Sequence, residues 1–283
     1  MVRKDLIHFE HRPIAIGPGN NSESGCFTRS AVDDNGILTL IYTSHDDTRD
    51  PKENQCIASS TDGVNFKKYE GNPVISRPPK DASSDFRDPK VWKHNELWYM
   101  IVGSGKYGRG RVLLYLSHDL KKWDYLGIAC EGSEDMGNNW ECPNLFSLGD
   151  KDILMISPMN MKNSKNIFLI GNMDYKTNKF TSYHYQEVDY GDDFYAAQVF
   201  QDDNGRVILV GWMDMWGKEY PTQKDGWEGA FTIPRELFLK DDKVYSRPVH
   251  ELKKLRSNPV SYDEFAVNKN ISGYLGNVKG DSL

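Results

Sequence analysis

The sequence predicts an all-β chain folded as a five-bladed β-propeller whose first blade is incomplete. Three observations predict it. Short apolar and aromatic runs of strand length alternate with turn clusters. Helical periodicity is weak throughout. A unit made of an Asp and a later aromatic recurs at a fixed interval, as a supersecondary repeat does.

The runs lie at residues 37–44 (ILTLIYTS), 97–104 (LWYMIVGS), 111–117 (RVLLYLS), 152–157 (DILMIS), 166–171 (NIFLIG) and 206–213 (RVILVGWM). Most are bounded by Gly, Asn, Asp or Ser, which suits strands closed by tight turns. Asp5, Asp62 and Asp119 recur every 57 residues, and Phe9, Phe66 and Trp123 each follow four residues later. Looser copies are Asp174 with Phe180 and the stretch LKDDKVY at 239–245. Each unit reads as a hairpin turn at the Asp, then an outer strand opened by a buried aromatic. Five copies predict five blades. The copy at 5–9 lacks the strands that would precede it, so the first blade is expected to be partial. The pattern fades after RPVHELKKLR. Residues 1–256 are therefore read as the propeller, and 257–283 as a linker or the start of a further domain.

Composition narrows the classes of partner. The formal charge of the 283 residues is −6, with both signs interspersed, so neither a nucleic acid nor a membrane surface is an expected partner. The first residues, MVRKDLIHFEHRP, carry no apolar run of the kind a secretory signal needs. Cys26, Cys56, Cys130 and Cys142 are far apart and form no CxxC pair. They are read as free thiols in a cytoplasmic protein, and neither a metal nor a cofactor is expected. Seven Trp, fifteen Tyr and twelve Phe are many; such rings suit strands and stack on sugars.

Two segments carry candidate chemistry. SSDFRDPKVW holds Arg87 and Asp88, and NNWECPNLF holds Trp140, Glu141 and Cys142. Taken singly, each has a plainer reading. Asp-Pro starts turns, and an Arg-Asp pair can be a structural ion pair. Asp88 and Glu141 are 53 residues apart, however, close to one blade interval. Equivalent positions on neighbouring blades face one axis. Two carboxylates converging there, beside aromatics, are what hydrolysis of a glycosidic bond requires. A small sugar is thus the expected partner.

FRDPKVW and WECPNLF resemble two motifs of glycoside hydrolase family 32. GCFTRSAVDDNG at 25–36, YGDDFYAAQVF at 190–200, GWEGAFTIPREL at 226–237 and RPVHEL at 247–252 also resemble that family, in order and spacing. The resemblance implies a five-bladed propeller followed by a β-sandwich, which is essentially absent from this chain. It implies hydrolysis of terminal β-fructofuranosyl bonds in sucrose or sucrose-6-phosphate with retention. It assigns Glu141 as the acid/base, Asp88 as the transition-state stabiliser and Arg87 as a hydroxyl ligand. Phe27 and Thr28 would line the fructose pocket, with Tyr195 and Trp212 as weaker candidates for its wall.

The chain also departs from the family. The nucleophile is expected in a Trp-Met-Asn-Asp-Pro-Asn-Gly stretch, and no Asn-Asp-Pro-Asn-Gly occurs here. By the family's order it should lie before residue 5. Arg29 stands where the family usually has Gly. Arg29, Lys106 and Arg109 are candidate phosphate contacts, although solvated surface charge explains them as well. Two alternatives stand beside the fructosidase. One is a catalytically inactive sugar-binding propeller. The other is an inverting propeller glycosidase, against which the Glu-Cys-Pro match speaks. An uncovered blade edge also allows pairing with another chain.

Overall fold

In the computed structural model, residues 5–19 and 23–257 are described. They form four antiparallel sheets that follow one another along the chain. The first holds β1 (Gly25–Asp34), β2 (Ile37–His45), β3 (Glu53–Ser60) and β4 (Lys67–Lys68). The second holds β5 (Phe86–His94), β6 (Leu97–Lys106), β7 (Arg109–Ser117) and β8 (Asp124–Glu131). The third holds β9 (Asn139–Leu148), β10 (Lys151–Met159), β11 (Ile167–Asp174) and β12 (Lys179–Glu187). In the fourth, β13 (Tyr195–Gln201), β14 (Val207–Met213), β16 (Arg235–Lys240) and β17 (Lys243–Pro248) pair in order, and β15 (Ala230–Phe231) joins β14. Sheets of this up-and-down kind, stacked face to face, make an all-β propeller. No helix among the described residues is long and apolar enough to cross a membrane.

All six predicted runs fall on central strands: β2, β6, β7, β10, β11 and β14. β6, β7, β10 and β11 are apolar on both faces because a sheet lies on each side. On β6, Met100 and Val102 pack with Ile41 and Phe86 towards the first sheet. The alternate residues Tyr99 and Ile101 pack with Trp140 and Leu154 towards the third. A further layer, with Ile153, Phe168, Val199 and Leu209, joins the third sheet to the fourth. The strand period of two thus sends successive side chains into two different cores.

The Asp repeat has a physical cause. In Asp62 and Asp119 one carboxylate oxygen accepts the backbone N–H groups two and three residues on, at 2.8–2.9 Å. Asp174 accepts the N–H of Lys176 in the same way. Each closes the turn into the outermost strand of a sheet, and Phe180 is buried as expected. Asp5 makes the same turn, accepting from Ile7 and His8. It opens no strand of a sheet, and Phe9 is half exposed. The last copy closes differently, through Asp241 and Asp242, both with positive φ. Five copies therefore mark four sheets and one isolated turn among the described residues, which corrects the expected blade count. Apart from residue 257, the tail read as a linker lies outside the described residues.

The first strands position the site, and each carries a β-bulge at the same level. Register slips occur between Cys26 and Arg29 in β1, Arg87 and Lys90 in β5, and Tyr195 and Gln198 in β13. In β9 the slip spans Glu141 to Asn144. Asp88, Cys142 and Ala196 sit in these bulges with φ of 66°, 47° and 50°. Non-glycine residues rarely adopt this left-handed region, and each costs about 1–3 kcal/mol held there. The bulges turn the strands so that neighbouring side chains aim along the channel instead of across the sheet.

Candidate active site

Glu141 leaves the β9 bulge and is held on both oxygens. Oε1 accepts from Arg87 Nε at 2.9 Å, and Oε2 accepts from the Tyr195 hydroxyl at 2.5 Å. Arg87 comes from the second sheet and Tyr195 from the fourth. Tyr195, expected as a wall, instead touches the carboxylate directly. Burial, followed by the adjacent Glu141 charge, pushes its phenol well above the ordinary value.

The same guanidinium reaches back to the first sheet. Arg87 Nη1 donates to both oxygens of Glu53, at 2.8 and 3.0 Å, and to Asp85. Glu53 is buried and also accepts from the Phe86 N–H at 2.6 Å. These pairs hold the arginine firmly in its charged form. An oriented, permanently charged fork beside Glu141 fixes where that carboxylate can stand.

Asp88 is buried next to Glu141, in contact with the following residue. Its Oδ2 accepts from the Cys142 N–H at 2.9 Å. Its own N–H donates to Thr43 Oγ1, which donates in turn to Gln55. Burial first, and then the Glu141 charge, raise its carboxyl to about 6; the Cys142 N–H and Arg87 oppose the rise. Cys142 is buried with its thiol pushed far up, so it packs and does not act as a nucleophile. The Thr28 hydroxyl lies 3.8 Å from that sulfur. Phe27 stacks on His45 with ring centroids 4.4 Å apart, and His45 stands 3.5 Å from Glu53.

A groove of about 960 Å³ opens from Glu141 and Tyr195 and runs between Met161, Lys162, Tyr190 and Trp216. Trp212 lies opposite Tyr195 in the β13–β14 ladder and meets the groove only through its edge contact with Trp216, at 5.2 Å. Lys106 and Arg109 flank the β6–β7 hairpin and are tied up elsewhere. Lys106 donates to the Lys80 carbonyl, and Arg109 faces Glu131 and Glu134. The Arg29 side chain lies outside the described residues. Cys56, Cys130 and Cys142 are free thiols.

The sequence reading missed Glu53, His45 and Thr43. One signal was present. The strand built on the 37–44 run ends one residue later, at His45, and forms a hairpin with the next strand, beginning at Glu53, in which the two residues pair directly. The two acids of that reading, its arginine and Tyr195 do meet at one place. Trp140 does not: it is fully buried in the core and donates to the Met136 carbonyl.

Known proteins resemble this arrangement. The family model described as Glycosyl hydrolases family 32 N-terminal domain matches residues 1–248. A sucrose-6-phosphate hydrolase of Zymomonas mobilis is 42% identical, across 90% of this chain and 54% of its own length. A raffinose invertase of Escherichia coli is 37% identical, across 89% of this chain and 56% of its own. The solved GH32 beta-fructofuranosidase of Bombyx mori superimposes with a TM-score of 0.83 at 41% identity, covering 92% of this chain and 57% of that one. The chain spans a little over half the length of the curated relatives it matches. Its motifs, its stacked sheets and the family match place it in glycosyl hydrolase family 32.

Proposed function

We propose that this chain carries the acid/base side of a β-fructofuranosidase site, acting on terminal β-D-fructofuranosyl bonds of sucrose or sucrose-6-phosphate with retention. The observation that carries the reading is the convergence of Glu141 and Asp88 from neighbouring sheets, with Glu141 lining the groove and Asp88 buried behind it on the N–H of the next residue. In this reading Glu141 protonates the leaving oxygen and afterwards takes a proton from water. Arg87 and Tyr195 hold it in place for both steps. Asp88 accepts fructose hydroxyls and stabilises the positive charge that grows on the ring. Phe27 and Thr28 lie beside it as pocket walls, and the leaving sugar occupies the groove. A Bombyx mori variant solved in complex with sucrose, 42% identical over 90% of this chain, supports the substrate class.

Retention requires a second carboxylate roughly 5–5.5 Å from the acid. The resemblance assigns it to an Asp-Pro-Asn-Gly stretch that these residues do not contain. We therefore infer a five-bladed ring, of which residues 5–257 supply four sheets, the isolated Asp5 turn being the rim of the fifth. The nucleophile belongs to that fifth blade. Residues 257–283 would lead towards the sandwich. Three free thiols and cysteines without a CxxC pair fit a reducing compartment, so a cytoplasmic site of action goes with this reading.

Fructose release from sucrose and sucrose-6-phosphate tests it, using this chain and one extended upstream by about 50 residues. The extended chain should be active, and its Glu141→Gln variant slower by about 10³-fold or more, as loss of a catalytic acid implies. Equal rates for the two lengths would remove the fifth-blade nucleophile. Binding of sucrose without turnover by both lengths would favour the alternative, an inactive sugar-binding propeller, which the missing motif supports.

A further inference from the structure

The channel between the sheets has a second end. Residues later in the same four first strands, among them Ala31, Lys90, Phe146 and Val199, line a cavity of about 440 Å³. It shares no lining residue with the groove at Glu141. Lys90 supplies a part-buried charge to it. The Nζ reaches across the channel and donates to the Val199 carbonyl at 2.6 Å. No carboxylate lies within ion-pair distance of it among the described residues. Burial alone lowers its amine to about 8.

An ammonium has three N–H donors, and a buried one is costly unless it is paired. One donor is used here. The other charged groups on the cavity wall form no ion pair with Lys90 among the described residues. Lys93 pairs with Glu96. Asp152 spends its two oxygens on the Ser147 hydroxyl and the Met173 N–H. His94 stacks on Tyr175 at 3.8 Å, and Tyr175 accepts from the Trp92 indole at 3.0 Å. The wall of the cavity thus carries two lysines and one carboxylate, and of the lysines Lys90 alone stands outside any ion pair among the described residues. Its walls are aromatic, and its size falls in the range of roughly 300–1,000 Å³ usual for small-ligand sites.

We propose that this far mouth is an anion site, in which the Lys90 ammonium binds a small oxyanion of the phosphate type. The reading is independent of the chemistry at Glu141. Isothermal titration of the 283-residue chain with inorganic phosphate, and separately with glycerol phosphate, tests it. One anion should bind per chain. Lys90→Met should weaken it at least tenfold, and Lys162→Met, in the other groove, should leave it unchanged. Tighter binding of glycerol phosphate would show that the aromatic walls hold an organic body; equal binding would show a bare ion. Equal affinity in Lys90→Met, or loss in Lys162→Met alone, overturns the proposal. A crystal grown in bromide decides the matter whether or not the variants fold. An anomalous peak within hydrogen-bond reach of Lys90 Nζ is expected, and an empty cavity refutes the site.

Discussion

Asp88 is held where its charge is costly. Its carboxyl titrates at about 6 in the folded chain and near its ordinary value when unfolded. Between those values the folded form binds more protons. Stability therefore falls as pH rises from about 4 to about 6, and the loss persists above that. The shift corresponds to about 3 kcal/mol, as an order of magnitude. Asp88→Asn keeps an acceptor for the Cys142 N–H and removes the buried charge. Denaturant unfolding should show this variant about 2–3 kcal/mol more stable than the parent at pH 7 and indistinguishable at pH 4. A variant less stable at pH 7 would mean that the ionised carboxylate is well solvated. Arg-Asp-Pro and Glu-Cys-Pro were legible as candidates because two acids recur near the blade interval. Glu53 was not: no spacing in the sequence links it to Arg87, and only the stacking of the first sheet on the second brings them within 2.8 Å.

At the scale of the strand, the central strands could be read from their apolar runs, since both of their faces are covered. The first strands could not. β5 and β9 interrupt the apolar pattern with Pro and charge, and β13 is too short and mixed to stand out. Cys142 stands 54 residues after Asp88, and Ala196 stands at the same interval again, a regularity visible only once φ is known. Glycines mark where strands of different sheets touch. A Cβ on Gly105 of β6 would lie 1.8 Å from the Asn138 carbonyl oxygen, and one on Gly110 of β7 would lie 2.1 Å from the Trp140 ring. Neither the backbone at Asn138 nor the buried indole can withdraw easily. Gly105→Ala should cost about 3 kcal/mol through overpacking, read from a shifted urea midpoint with little change in slope. A neutral result would show that the second and third sheets can slide apart.

For the whole molecule, a repeat counted from sequence gave the architecture but overcounted the sheets. A turn can form on local hydrogen bonds alone, whereas a sheet needs its partners. Leu6, beside the Asp5 turn, packs on Ile208 of the fourth sheet and on Val249 just past its last strand. Around it Phe9, Phe231, Ile233 and Leu255 stay substantially exposed on one apolar face. Faces of this kind bind hydrophobic dyes and promote association. Dye fluorescence should be high for the 283-residue chain and should fall several-fold on upstream extension or with Phe231→Ser/Ile233→Thr. Unchanged fluorescence after extension would sink the idea that a fifth sheet covers this face. Arg87 has a consequence at the same scale. One guanidinium ties Glu53 of the first sheet to Glu141 of the third, and Tyr195 of the fourth completes the grip. Any molecule with one of those sheets undone leaves the Glu141 carboxylate adrift. Under the proposed function, turnover per mole of the upstream-extended chain would therefore report the fraction of molecules that have finished folding, an assay of conformational completeness built into the chemistry.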